Sequence, residues 1–182
     1  MSPVDFEPDV NLMERAVRVS LAAANLFRDR IPNKKYMLVV DYTQPSYKKR
    51  LFVLDSKGNV IKKHHVAHGE GSSDPKDRSK ATHFSNLPDS HMSSLGAMIT
   101  LGTYTGKHGL SLRLNGLQDG LNNKVKDRCI VIHSASYVTD EYILKNKRAG
   151  QSWGCLAVDP AILNSLINLI KGGCFCYAYS EF

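Results

Sequence analysis

The chain has 182 residues, 42% of them hydrophobic, which suits one domain able to bury its own core without disulfide staples. Its formal net charge of +7 points to anionic partners, but the basic clusters Lys48-Lys49-Arg50 and Lys62-Lys63 are short and lack interleaved aromatics, which argues against a nucleic-acid binder. No apolar run approaches the roughly eighteen residues of a transmembrane helix, so no transmembrane segment is expected.

The N-terminus, MSPVDFEPDVNLMERAVRVSLAAANLF, places acids where a signal peptide has its basic start, and Asn25 ends a short apolar run. It reads as a mature N-terminus behind a start Met, or as that of a cytoplasmic protein. Met13, Val17, Leu21 and Ala24 recur at helical spacing over residues 10–29, predicting an amphipathic helix stopped by Pro32. YMLVVDY (36–42) predicts a strand, and RLFVLD and VIKKHHVAH predict two more joined at the turn SKGN. Residues 69–95 are rich in Gly, Ser, Asp and Pro and predict a functional loop, with ATHFSN as a short strand inside it and Phe84 and Leu87 pinning it to the core.

AMITLGTY, LSLRLNG and RCIVIH give three further strands, with Gly106, Gly109, Gly116 and Gly120 at the turns. Asp159 is a natural N-cap and Pro160 a natural first residue for a helix AILNSLINLIK that ends at Gly172-Gly173. GGCFCYAY closes the chain as a strand whose period of two puts Cys174 and Cys176 on one face, as buried small hydrophobes. The expected fold is mainly β with flanking helices, a sandwich or partial barrel. Its expected division is an N-terminal helical segment, 1–35, and a main strand-rich domain, 36–182.

GQSWGCLAVDP (150–160) raises the chemical question, because Cys155 follows a glycine and the chain's one tryptophan. A nucleophilic cysteine needs a base, exposure and amide donors for an oxyanion. The helix beginning at Pro160 is a weak activator, since a helix dipole fades within about one turn and Cys155 precedes the N-cap by four residues. Two histidines are candidate bases: His133, which ends the strand RCIVIH, and His108 in the turn TGKHGLS. Gly154 suits a tight turn that aims the amides of Trp153, Gly154 and Cys155 at one point, an oxyanion hole. A buried, inert Cys155 is the plain alternative. The four cysteines include no C-x-x-C pair and do not match zinc-ligand spacings, so no metal site is expected.

VIHSASYVTD followed by GQSWGCLAVDP resembles the murein L,D-transpeptidase catalytic domains, in the branch with Trp in the Cys motif. The likeness continues upstream through ATHFSN, SSLGAMIT, YTGKHGLSLRLNGLQDGLN and DRCIVIH, over roughly residues 66–180. It implies a thiol enzyme of peptidoglycan with no cofactor: Cys155 as nucleophile, His133 as general base, Ser152 orienting that base, and Gly154 and the Cys155 amide at the oxyanion hole. Ser134 stands where relatives have Gly, and its carbonyl would hold the imidazole tautomer. Many relatives have Arg two residues after the Cys. Here that position is Ala157, which leaves Arg113 and Arg128, with His108, as substrate-binding candidates.

The partners so implied are peptidoglycan stem peptides, with carbapenem-type β-lactams as covalent inhibitors. The implied location is periplasmic or otherwise extracytoplasmic, with the signal peptide absent from this chain. The implied reaction is acyl transfer from a stem tetrapeptide to an amine, in 3→3 cross-linking or anchoring. An L,D-carboxypeptidase using water and a catalytically silent cell-wall binder are the alternatives. A papain-like peptidase is disfavoured, because there the Cys precedes the His and heads a helix.

Overall fold

Asp9 caps the first helix, α1 (Val10–Leu26), its carboxylate accepting the Leu12 N–H at 3.0 Å. The computed structural model describes residues 4–181, so residues 1–3 and 182 of the two expected segments lie outside the described residues. A 3-10 turn, Arg28–Arg30, ends the helical stretch just before Pro32.

The strands are β1 (Asn33–Asp41), β2 (Leu51–Asp55), β3 (Val60–His64), β4 (His68–Gly69), β5 (Gly96–Gly106), β6 (Gly109–Gly116), β7 (Val131–Ser134), β8 (Gln151–Ser152), β9 (Leu156–Val158) and β10 (Cys174–Tyr179). Among the described residues, eight of them form one mixed sheet in the order β3-β2-β1-β10-β5-β6-β7-β9, and β4 pairs with β8 apart from it. The chain leaving β3 then reaches the opposite edge: the Ala67 N–H donates to Ala157 O at 3.0 Å, and the β4–β8 pairing follows directly. The two ends of the sheet are thereby drawn together. The mainly β fold with flanking helices is as expected, and the meeting edges give it the character of a partial barrel.

Alternation along the strands sorts the side chains onto two faces. Leu38 and Val40, Leu51 and Val53, Leu112 and Leu114, and Leu156 and Val158 point inward. There they meet Leu163, Leu166 and Ile167 of α3 (Pro160–Ile170), which starts at the expected Asp159 cap and Pro160. Cys174 and Cys176 lie in this core, buried on one face as their spacing predicts. The opposite face, with Met37, Val39, Phe52, Leu54 and Phe175, is covered by Met13, Ala16 and Val17 of α1. The SKGN turn joins β2 to β3 as a hairpin, with Gly58 at φ 85°, a conformation that favours glycine.

Three local expectations are corrected. The strand expected over RCIVIH begins only at Val131, and Arg128 and Cys129 belong to the turn before it. ATHFSN makes a single bridge, Ser73 to Ala81, because the Thr82 and His83 amides bond to Ser72 O at 2.8 Å and 3.3 Å instead of to a neighbouring strand. Phe84 does pack on the core, its ring 5.5 Å from that of Tyr42, but Leu87 is 65% exposed and pins nothing. A further helix without a counterpart among the expected elements, α2 (Asp140–Asn146), has its first turn capped by Thr139 Oγ1. Among the described residues no helix is long and apolar enough to cross a membrane.

Candidate active site

β7 and β9 run parallel, with Ile132 opposite Leu156 and His133 opposite Ala157. Ile132 and Leu156 face the core, so alternation turns His133 and Ala157 to the other side of the sheet. Cys155, two residues before Ala157, falls on that same side. Cys155 and His133 both line an open cleft of about 440 Å³, with Tyr104, Lys107, Tyr137 and Trp153 among its other walls. That volume lies within the range of small-ligand sites.

His133 is only 3% exposed, and its Nδ1 lies 2.9 Å from Ser134 O. A carbonyl accepts only, so Nδ1 carries the proton and Nε2 is left as the basic nitrogen. Burial lowers the His133 pKa below the ordinary value of 6.5; the Ser134 carbonyl opposes this and nearby His108 adds to it. His108, at the tip of the β5–β6 hairpin, stacks on His133 with ring centroids 4.4 Å apart. His108 therefore lies in the cleft, as a neighbour of His133.

Cys155 Sγ lies 3.6 Å from Cys129 O, and among the described residues no hydrogen bond joins it to His133. Burial raises the thiol pKa above its ordinary 9.0; the Val131 backbone lowers it, Cys129 raises it and Arg128 lowers it. The resting pair is thus a neutral thiol beside a neutral imidazole.

Gly154 shapes the turn before Cys155. Its φ is 105°, and a Cβ there would lie 2.6 Å from Met92 O and 2.9 Å from Ile130 Cδ1, so no other residue fits. Its N–H donates to Ser152 Oγ at 3.1 Å, and the Ser152 hydroxyl donates to Cys155 O at 2.7 Å. Ser152 thus clamps the turn, and its bonds go to the turn and not to His133. The expected oxyanion hole of three amides has the Gly154 amide already engaged. Trp153 is 67% exposed and stacks on His91 at 4.3 Å, with His91 Nδ1 held 3.0 Å from Glu70 Oε1.

The arginines divide. Arg128 lines the cleft, but Nη1 donates to Ser85 O at 2.6 Å and Ser94 Oγ at 2.8 Å, and Nη2 to Met92 O at 2.7 Å and Ser90 Oγ at 3.2 Å. Four of its five N–H groups are spent on holding residues 85–94 against the site. Arg113 is exposed, its guanidinium 4.0 Å over the Tyr104 ring, and it lines an adjoining hollow with Lys126 and Cys129 rather than the cleft. Sequence reasoning did not single out Lys107 or Tyr137, both of which line the cleft. Burial pushes the Tyr137 hydroxyl up to about 12, so it stays a protonated donor.

A buried chain of bonds supports the loop from behind. Arg50, fully buried, donates from Nη2 to His68 Nδ1 at 2.8 Å. His68 Nε2 therefore carries the proton and donates to Ser73 Oγ at 3.1 Å. Ser73 Oγ also accepts from Gln151 Nε2, and Gln151 Oε1 accepts from Arg78 at 2.5 Å. Gln151 stands in the cleft wall, so the segment 69–95 supports that wall through Ser73, Arg78 and His91.

The chain belongs to the L,D-transpeptidase catalytic domain family, whose family model matches residues 9–179. Among solved structures, Bd1075 of Bdellovibrio bacteriovorus is similar at 15% identity and a TM-score of 0.50, covering 82% of this chain and 50% of its own. The L,D-transpeptidase from Mycobacterium smegmatis matches at 14% identity and a TM-score of 0.42, with coverages of 71% and 54%. The avibactam carbamoyl enzyme of Ldtfm matches at 12% identity and 0.43, with coverages of 72% and 45%. The chain thus spans about half the length of these solved chains. The likeness to Bd1075 is one of fold. No curated protein matches.

Proposed function

We propose that the protein is a thiol acyltransferase acting on peptidoglycan stem tetrapeptides, with Cys155 as nucleophile and His133 as general base. The observation that carries this reading is the shared cleft: a thiol and a buried imidazole on one face of β7 and β9, the imidazole held with Nε2 free. Membership of the L,D-transpeptidase family supports the substrate class.

His133 Nε2 takes the thiol proton as the sulfur attacks the carbonyl carbon of the third stem residue. The S–C bond forms, and the carbonyl oxygen becomes an oxyanion received by the amides of Trp153 and Cys155. Collapse expels the terminal D-alanine, whose amine takes the proton from His133. The thioester then passes to an amine of a second stem, with His133 taking that amine's proton. Gly154 and Ser152 act by fixing the turn that aims these amides. Lys107 and His108 face the bound peptide at the cleft mouth, and Arg128 acts by holding residues 85–94.

In this reading residues 36–182 carry the catalytic domain, and α1, within the N-terminal segment 1–35, covers the sheet's outer face. The enzyme works outside the cytoplasmic membrane, where its substrate is. Incubation with purified tetrapeptide muropeptides, followed by mass spectrometry of the products, tests the function. Cross-linked dimers lacking one terminal D-alanine are expected. Tripeptides alone would assign water as acceptor and make the enzyme an L,D-carboxypeptidase, and unchanged muropeptides would refute the acyltransferase reading.

A further inference from the structure

Cys155 shares its cleft with a second thiol. Cys129 lines the same cleft and is exposed, whereas Cys174 and Cys176 are sealed in the core. The Cys129 carbonyl lies 3.6 Å from Cys155 Sγ, so the backbone of one cysteine rests against the sulfur of the other. The Cys129 thiol itself has only a long contact of 3.9 Å, to Asp127 O. Cys129 is the last residue of the turn before β7 and has φ 55°, in the left-handed region that favours glycine. A disulfide needs its two Cα atoms roughly 4.4–6.8 Å apart, and the contact of the Cys129 carbonyl with the Cys155 sulfur sets the two residues side by side in one cleft.

We propose that Cys129 is a redox partner of Cys155: exposed to a peroxide, the two close a reversible disulfide that switches the site off and spares Cys155 from irreversible oxidation. The exposed Cys129 thiol meets the oxidant first. Its sulfur takes one peroxide oxygen, the O–O bond breaks, and a sulfenic acid and water result. The Cys155 sulfur then attacks that sulfur. The S–S bond forms, the S–O bond breaks, and the departing hydroxide takes the Cys155 proton and leaves as water. Oxidation of Cys155 first, with Cys129 attacking, gives the same bond. An external dithiol returns both thiols. The regulatory meaning rests on the reading of Cys155 as nucleophile; formation of the bond does not.

The test uses the full chain as wild type, Cys129→Ser and Cys129→Gly, the last chosen because glycine suits the backbone there. Each is treated with hydrogen peroxide and then digested without reduction. The wild type is expected to lose two hydrogens in intact mass and to yield a peptide pair linked through Cys129 and Cys155, released by dithiothreitol. After reduction it should regain carbapenem adduct formation. The two variants should instead carry sulfinic or sulfonic acid on Cys155 and not regain it. A wild type in which Cys155 is overoxidised as in the variants, or bridged to another cysteine, overturns the proposal. If reduced wild type forms no carbapenem adduct at all, the nucleophile reading fails, while the linked pair still decides the disulfide.

Discussion

The imidazole of His108 lies flat against that of His133, with ring planes 20° apart. The pair couples the tip of the β5–β6 hairpin to the proposed base. Burial and the His108 charge both disfavour the His133 imidazolium, so its pKa lies below 6.5. Catalysis requires the neutral form, and acylation by a carbapenem should therefore fall only as pH drops below 6.5. His108→Ala relieves both effects and should move that acid limb upward with modest loss of rate. His133→Ala should lose about 10²–10⁴-fold, the range of a missing general base. Stopped-flow acylation against pH checks both. A crippled His108→Ala beside a near-normal His133→Ala would reverse the assignment.

Without substrate, the Cys155 thiol should resist alkylation at neutral pH. Burial is the main cause of its raised pKa, and the Val131 backbone and Arg128 offset only part of it. Peptide-resolved iodoacetamide labelling should show Cys155 reactivity still rising above pH 9.0, the ordinary thiol value. A plateau at neutral pH would mean a preformed thiolate, and a different mechanism.

Arg78 should matter to large substrates and little to small ones. It anchors Gln151 in the cleft wall at 2.5 Å. Arg78→Ala should lower muropeptide turnover about tenfold, the equivalent of one modest hydrogen bond to a charged group, and leave carbapenem acylation nearly unchanged. Equal loss on both substrates would place the effect at the chemistry and not at the wall.

Much of the scaffold is readable from local pattern. The strands announce themselves as β-branched or apolar runs, and α3 by Asp159 and Pro160, because these signals are local. The site is less so. His133 and Cys155 are suggested by motif and resemblance, and the structure brings them to one cleft. That Arg128 is spent on residues 85–94, or that Ser152 clamps its own turn, depends on contacts that leave no periodic trace. Arg128 and Ser85 are 43 positions apart in sequence. The αL backbone at Cys129 delays the expected strand to Val131, three residues after Arg128, since apolar character alone does not reveal where a turn ends. Helix α2 went unforeseen because it is only seven residues long.

Acid should destabilise the fold through His68. Burial first, then Arg50, pushes its pKa down to about 2, so the folded form keeps it neutral while the unfolded chain binds a proton near 6.5. The stabilisation is present above pH 6.5 and is lost as pH falls below it. Between pH 6.5 and 5 the loss from this one group is about 2 kcal/mol. Urea unfolding at the two pH values measures it, and His68→Gln should flatten the dependence.

The most direct test of the account is peptide mapping of the acyl-enzyme. Tetrapeptide muropeptides are mixed with the protein, the reaction is quenched in acid, and the digest is searched for a stem tripeptide joined by a thioester. The account predicts that adduct on the peptide containing Cys155, none on Cys129, Cys174 or Cys176, and none on a folded Cys155→Ala variant. An adduct that survives on Cys155→Ala, or that maps to Cys129, contradicts it.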